Sequence, residues 1–136
     1  MSAVTGTVAV SCGSQQIGPQ SAGYNQGLLV SHNYGSTWGA FHPVPHLSGY
    51  DGSSGIHAVA LASASTVVAV GDEGGVQSSF DDGATWTTTL PQPASGNTIG
   101  EVGFENSSVG HVVIPGTTFW TTSNGGRSWT SFDFPA

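Results

Sequence analysis

Apolar residues alternate with small or polar ones along most of this chain in short runs, and no stretch repeats apolar residues at helical spacing. The runs cover residues 4–11 and 27–31, then 56–61, 66–70 and 75–79, then 99–104, 110–114 and 117–122. Val, Ile, Thr and aromatic residues fill them, which predicts half-buried β-strands. Glycine, 21 of 136 residues, sits mainly between the runs, where turns need positive φ or a close backbone approach. The expected class is all-β.

The runs are punctuated by a repeat. Ser31-His32-Asn33-Tyr34-Gly35-Ser36-Thr37-Trp38, Ser79-Phe80-Asp81-Asp82-Gly83-Ala84-Thr85-Trp86 and Thr122-Ser123-Asn124-Gly125-Gly126-Arg127-Ser128-Trp129 share one pattern: hydroxyl, any, Asp or Asn, any, Gly, any, hydroxyl, Trp. The interval is about 45 residues, the length of a four-stranded propeller blade, and a short fourth run follows each Trp. This predicts a single domain over 1–136, a β-propeller segment with blades at 3–42, 54–90 and 97–134. Within each motif the Asp or Asn oxygen (Asn33, Asp81, Asn124) can accept backbone N–H groups two or three residues ahead. The Gly (Gly35, Gly83, Gly126) takes a conformation that a β-carbon would penalise. The flanking hydroxyls, Ser31 and Thr37, Ser79 and Thr85, Thr122 and Ser128, bond across the turn, and Trp38, Trp86 and Trp129 fill the gaps between neighbouring blades. The motif is a hairpin staple rather than a catalytic device.

This pattern resembles the Asp box, or BNR repeat, of sialidases, sortilin-type receptors, xyloglucanase-type glycosidases and the photosystem II assembly factor family. The resemblance spans the chain as three repeats; it implies a β-propeller and leaves function open. It places the boxes on the turn between strands three and four of each blade, away from the ligand face. In an outward-running meander the opposite face collects the two-to-three turns and the blade crossovers. Tyr24, Asn25, Gln26, His42, His46, Tyr50, Asp51, Asp72 and Glu73 are expected there, with Tyr24, His46, Tyr50, Asp51, Asp72 and Glu73 as the candidate ligand-binding set. Tyr can stack on a pyranose ring, and the polar members can hold hydroxyls or a cation. The plainer reading of the same residues is ordinary polar loops.

Charge narrows the function classes. The net charge is −7 with one basic residue, Arg127, so a phosphate backbone or an anionic membrane finds no cationic patch. No run approaches the roughly 20 apolar residues of a membrane-spanning helix. Sialidases grip the substrate carboxylate with three arginines, so the single Arg127 argues against that activity. A glycosidase needs two carboxyl groups across a cleft, and Asp51 with Asp72 or Glu73 is the one pairing expected on the candidate face. No Ser or Cys lies in a nucleophile-elbow context. The prolines in His42-Pro43-Val44-Pro45-His46 forbid the helix on which two such histidines share a metal, and neither Asp81-Asp82 nor Asp72-Glu73 has the pattern of a calcium loop. No metal and no cofactor are expected. Cys12 reads as a small hydrophobe in a strand. Asn106-Ser107-Ser108 fits a glycosylation sequon, a pattern frequent by chance.

The first residues lack the features of a secretory signal, while the resemblance favours an extracellular or cell-surface setting. Three blades cannot close a ring, so the open ends call either for two chains joined head to tail into six blades or for further sequence. The expected role is a non-catalytic binding or scaffolding module for a carbohydrate or protein. A glycoside hydrolase-type propeller fragment and a purely structural surface repeat are the alternatives.

Overall fold

The computed structural model describes residues 2–15, 24–45, 55–71, 75–91, 99–114 and 118–133. Their strands are β1 (Ser2–Val4), β2 (Thr7–Gln15), β3 (Tyr24–Ser31), β4 (His42–Pro43), β5 (Ile56–Leu61), β6 (Val67–Gly71), β7 (Val76–Ser79), β8 (Thr87–Leu90), β9 (Glu101–Phe104), β10 (Gly110–Ile114), β11 (Thr118–Thr122) and β12 (Thr130–Asp133). They form three four-stranded antiparallel meanders, β1-β2-β3-β4, β5-β6-β7-β8 and β9-β10-β11-β12, with no helix among the described residues. The run over 4–11 proves to be two strands, because Gly6, at φ 81°, turns the chain between β1 and β2. Contacts between sheets concentrate on their first strands: β1 and β2 lie against β5, and β5 and β6 against β9.

Two seams hold the sheets together. Ala9, Leu28, Val30 and Val44 of the first sheet meet Val59, Leu61, Val67 and Ala69 of the second. Val68, Val70, Val76 and Leu90 on its other face meet Ile99, Val112 and Ile114 of the third. Successive side chains of a strand point to opposite faces, so β6, in the sheet covered on both sides, must be apolar at every position. Val67-Val68-Ala69-Val70-Gly71 is accordingly a continuous buried run rather than the half-buried alternation expected from its neighbours. The third sheet is covered on one side, and β10 alternates: Val112 and Ile114 are buried while Val113 is exposed. Each large side chain fully buried in a seam contributes about 1.5 to 3 kcal/mol.

The turns between strands one and two and those between strands three and four fall at one end of the sheets. Tyr34 N–H donates to Gly6 O at 2.9 Å, Asp82 N–H to Ser65 O at 3.0 Å, and Gly125 N–H to Ser108 O at 2.9 Å. Each bond ties the turn between strands three and four of a sheet to the turn between its strands one and two.

Gly35 and Gly126 hold equivalent left-handed positions, at φ 82° and 86°, with different surroundings. A β-carbon on Gly35 would meet only the Trp38 ring at 3.5 Å, whereas on Gly126 it would lie 3.1 Å from Val68 Cγ2 in the second seam. Gly35→Ala is expected to cost about 1 kcal/mol from backbone strain, and Gly126→Ala about 2 to 3 kcal/mol from strain plus overpacking. Urea midpoints of the two variants measure the difference, and equal losses would contradict the seam account.

Candidate functional site

The repeated turns are the most fully determined chemistry in the molecule. Two consecutive residues in each are left-handed: Tyr34 and Gly35 (φ 58° and 82°), Asp82 and Gly83 (62° and 90°), Gly125 and Gly126 (72° and 86°). That pair of φ values is the one of a tight type I′ turn, closed by Ser36 N–H on Asn33 O and Ala84 N–H on Asp81 O and set within a longer connection between the strands. The position before the glycine, open to any residue in the repeat, therefore carries a conformational demand that Tyr34 and Asp82 meet under strain. Folding back this tightly brings residue four, not two or three, under the Asp or Asn side chain. Asn33 Oδ1 accepts Thr37 N–H at 2.8 Å, Asp81 Oδ1 accepts Thr85 N–H at 2.8 Å, and Asn124 Oδ1 accepts Ser128 N–H at 3.0 Å. The leading hydroxyls Ser31, Ser79 and Thr122 accept the N–H of Gly35, Gly83 and Gly126 at 2.9, 2.8 and 3.0 Å.

Asn in place of Asp reverses one bond and keeps the geometry. The Thr85 hydroxyl donates to Asp81 Oδ2 at 2.6 Å, whereas the amides of Asn33 and Asn124 donate to Thr37 and Ser128 at 2.8 and 2.7 Å. The hydroxyl and backbone N–H of Thr85, followed by the Ser79 hydroxyl, hold the Asp81 carboxyl below the usual carboxylate range.

The tryptophans divide according to what lies beside them. Trp86 packs on the first seam, its Nε1 donating to Gly83 O at 2.9 Å. Trp129 packs on the second, its Nε1 donating to Thr89 Oγ1 of the neighbouring sheet at 3.1 Å, with Phe104 edge-on at 6.3 Å. Trp38 does not fill a seam as expected: β8 and β12 begin directly after Trp86 and Trp129, whereas β4 begins only at His42, and Trp38 is 43% exposed.

Trp38 instead lines a cleft of about 410 Å³ at the turn end, between the first and second sheets, with Val30, His32, Asn33, His42 and Asp82. His32 Nδ1 meets Thr7 Oγ1 at 3.0 Å, and its Nε2 lies 3.4 Å from Asp82 Oδ2. Asp82 Oδ1 is buried in the wall and unpartnered among the described residues. Sequence reasoning missed this cleft. The signal available was the pair of non-glycine residues, His32 and Asp82, at the variable positions of adjacent repeats.

The candidate binding set lies elsewhere. Tyr24 opens β3, and only its backbone is described; His46, Tyr50, Asp51, Asp72 and Glu73 fall outside the described residues. Two companions expected on that face are visible. Gln26 lies within β3, its Oε1 accepting Ile56 N–H at 2.6 Å. His42 belongs to β4, paired with Leu28, and lines the turn-end cleft rather than the opposite face, because the first sheet takes its fourth strand from the segment expected as a crossover. Cys12 is half-buried in β2, its thiol pushed up by desolvation. No group of three or more potential metal ligands occurs among the described residues.

No protein-family profile matches the chain. No curated protein matches it either. Solved structures do. A GH74 xyloglucanase from Xanthomonas campestris superposes with a TM-score of 0.56 at 19% identity over 90% of this chain and 21% of its own. A GH74 enzyme from Niastella koreensis gives 0.56 at 17% identity over 79% of this chain and 18% of its own. YCF48 bound to D1 peptide gives 0.56 at 12% identity over 94% of this chain and 44% of its own. This chain thus spans about a fifth of the GH74 chains and under half of YCF48. At these identities the likeness establishes the fold alone: three blades of a β-propeller, open at both ends.

The lowered pKa of Asp81 has a defined consequence. Because the folded value lies below the unfolded one, its contribution is complete above the ordinary carboxylate pKa of about 3.9 and is lost as pH falls through the lowered value. Asp81→Asn, which reproduces the turn chemistry of Asn33 and Asn124, is expected to fold and to show a flatter decline of urea midpoint from pH 6 to pH 3 than the unaltered protein. Identical slopes would show that the turn does not depend on this charge.

Proposed function

We propose that this chain is a non-catalytic binding and scaffolding module, an arc of three blades that joins a second copy head to tail into a six-bladed ring. The observation that carries this reading is the repetition of seam positions on the outer faces. By register, Val113, Phe119 and Phe132 of the third sheet stand where Val70, Val76 and Leu90 stand in the second, yet Phe132 is 58% exposed where Leu90 is buried. At the other end, Val8, Val10 and Leu29 alternate with Ala9, Leu28 and Val30 and so point away from the first seam.

The third sheet's outer face is not a copy of a core. Glu101 and His111 occupy the positions of Ala58 and Val68, and His111 stacks on Phe119 at 4.9 Å while meeting Glu105 at 2.6 Å. An apolar centre with polar neighbours is the composition of a docking interface rather than of an intrachain seam. A heterologous contact of this kind closes when the rotation between copies completes a circle.

For the cargo, a polypeptide on the face opposite the box turns is the favoured class, because one of the similar structures is YCF48 with a D1 peptide. The GH74 likenesses speak for the glycoside hydrolase alternative. Asp81 is held in its turn and Glu105 meets His111, and the pairing expected for such chemistry, Asp51 with Asp72 or Glu73, lies outside the described residues. The turns themselves, with the repeat they form, support membership of the Asp-box group.

Light scattering during size-exclusion chromatography tests the reading. The unaltered chain is expected to have a mass of two chains, and Leu29→Asp and Phe132→Asp, on opposite outer faces, are each expected to give one chain with the strand spectrum retained. A one-chain mass for the unaltered protein at every concentration would overturn head-to-tail closure.

A further inference from the structure

Neighbouring turns touch across both seams, through different side chains. At the second seam, Arg127 of the third turn reaches across to the second, its guanidinium carbon 4.3 Å above the centre of the Phe80 ring. In the repeat, Arg127 corresponds to Ala84 and Phe80 to His32. At the first seam, therefore, the ring is present as His32 and the cation is missing, because a methyl group stands where the guanidinium would begin. His32 and Asp82 of these two turns line the turn-end cleft of about 410 Å³.

What lines that space suits a cation better than the second seam does. Asp82 replaces Gly125, bringing a part-exposed carboxylate whose Oδ2 faces His32 at 3.4 Å while Oδ1 is buried in the wall. Trp38 adds an indole ring at 43% exposure, and an aromatic face attracts a guanidinium. The chain cannot supply the counter-cation from a second arginine or a lysine, since Arg127 is its one basic residue.

We propose that this cleft binds a guanidinium group presented by an arginine side chain of a polypeptide partner, seated between His32 and Trp38 and paired with Asp82. The site lies at the end opposite the cargo face of the preceding proposal and does not depend on ring closure. Planar, delocalised and weakly hydrated, a guanidinium stacks on rings and pairs with carboxylates at once, which an ammonium does less well.

The test uses capped Gly-Arg-Gly and its neutral isostere Gly-citrulline-Gly, titrated at pH 8 and low salt while the ring resonances of His32 and Trp38 are followed by NMR. The arginine peptide is expected to saturate these shifts in the millimolar range, with the citrulline peptide at least tenfold weaker. Asp82→Asn, which keeps a residue tolerant of left-handed backbone, is expected to weaken binding about tenfold or more. Ala84→Arg, at an exposed position, is expected to fill the cleft from within and abolish binding, as Arg127 does at the second seam. Equal binding of the two peptides, unchanged binding by Ala84→Arg, or no shift up to about 10 mM peptide would each overturn the proposal.

Discussion

The exclusion of water from the seams between sheet faces is the constraint on which the rest of this structure depends. A four-stranded meander buries little by itself, and here the second sheet becomes stable by giving both faces away: Val67 and Ala69 to the first sheet, Val68 and Val70 to the third. Because the seams demand close approach, the turns at the sheet ends must be compact. The left-handed pairs ending in Gly35, Gly83 and Gly126 supply that compactness, and the Asp or Asn side chains hold them there. Gly126 shows the coupling directly, since its missing side chain leaves room for Val68 of the neighbouring sheet.

The same packing separates the molecule into two ends of different character. At the turn end, side-chain hydrogen bonds satisfy nearly all the repeated polar groups locally, and neighbouring turns touch through their variable residues, His32 with Asp82 and Phe80 with Arg127. Those variable residues can differ from blade to blade without disturbing the staple, which is how one seam closes over a guanidinium and the other stays open. At the outer face of the third sheet, the register that makes a buried seam in the interior leaves Phe132 exposed. The functional proposals rest on these departures from repetition, whereas the repeated features explain the fold.

Much of the architecture was legible along the chain. The period of hydroxyl, Asp or Asn, Gly, hydroxyl and Trp marked three hairpins because each residue type has a local role that survives any tertiary context. Alternation identified strands such as β10, which keeps one face in solvent, but misjudged β6, whose polar face vanished between two neighbours. The split of the first run at Gly6 and the pairing of His42 with Leu28 were not legible, since a glycine inside a β-rich run or a histidine beside prolines fits several local structures. The reach of the turn side chains to the fourth residue required the φ of Tyr34 and Asp82, which side-chain identity does not betray.

By itself, the sequence determined the all-β class, the threefold repeat and the chemistry of its turns, because these depend on neighbours within a few residues. The tertiary structure decided which faces are covered, that Trp86 and Trp129 lie in seams while Trp38 does not, and that His32 comes beside Asp82. Residues about fifty positions apart meet only when two sheets stack, and the stacking is set by the sum of apolar faces rather than by any local pattern.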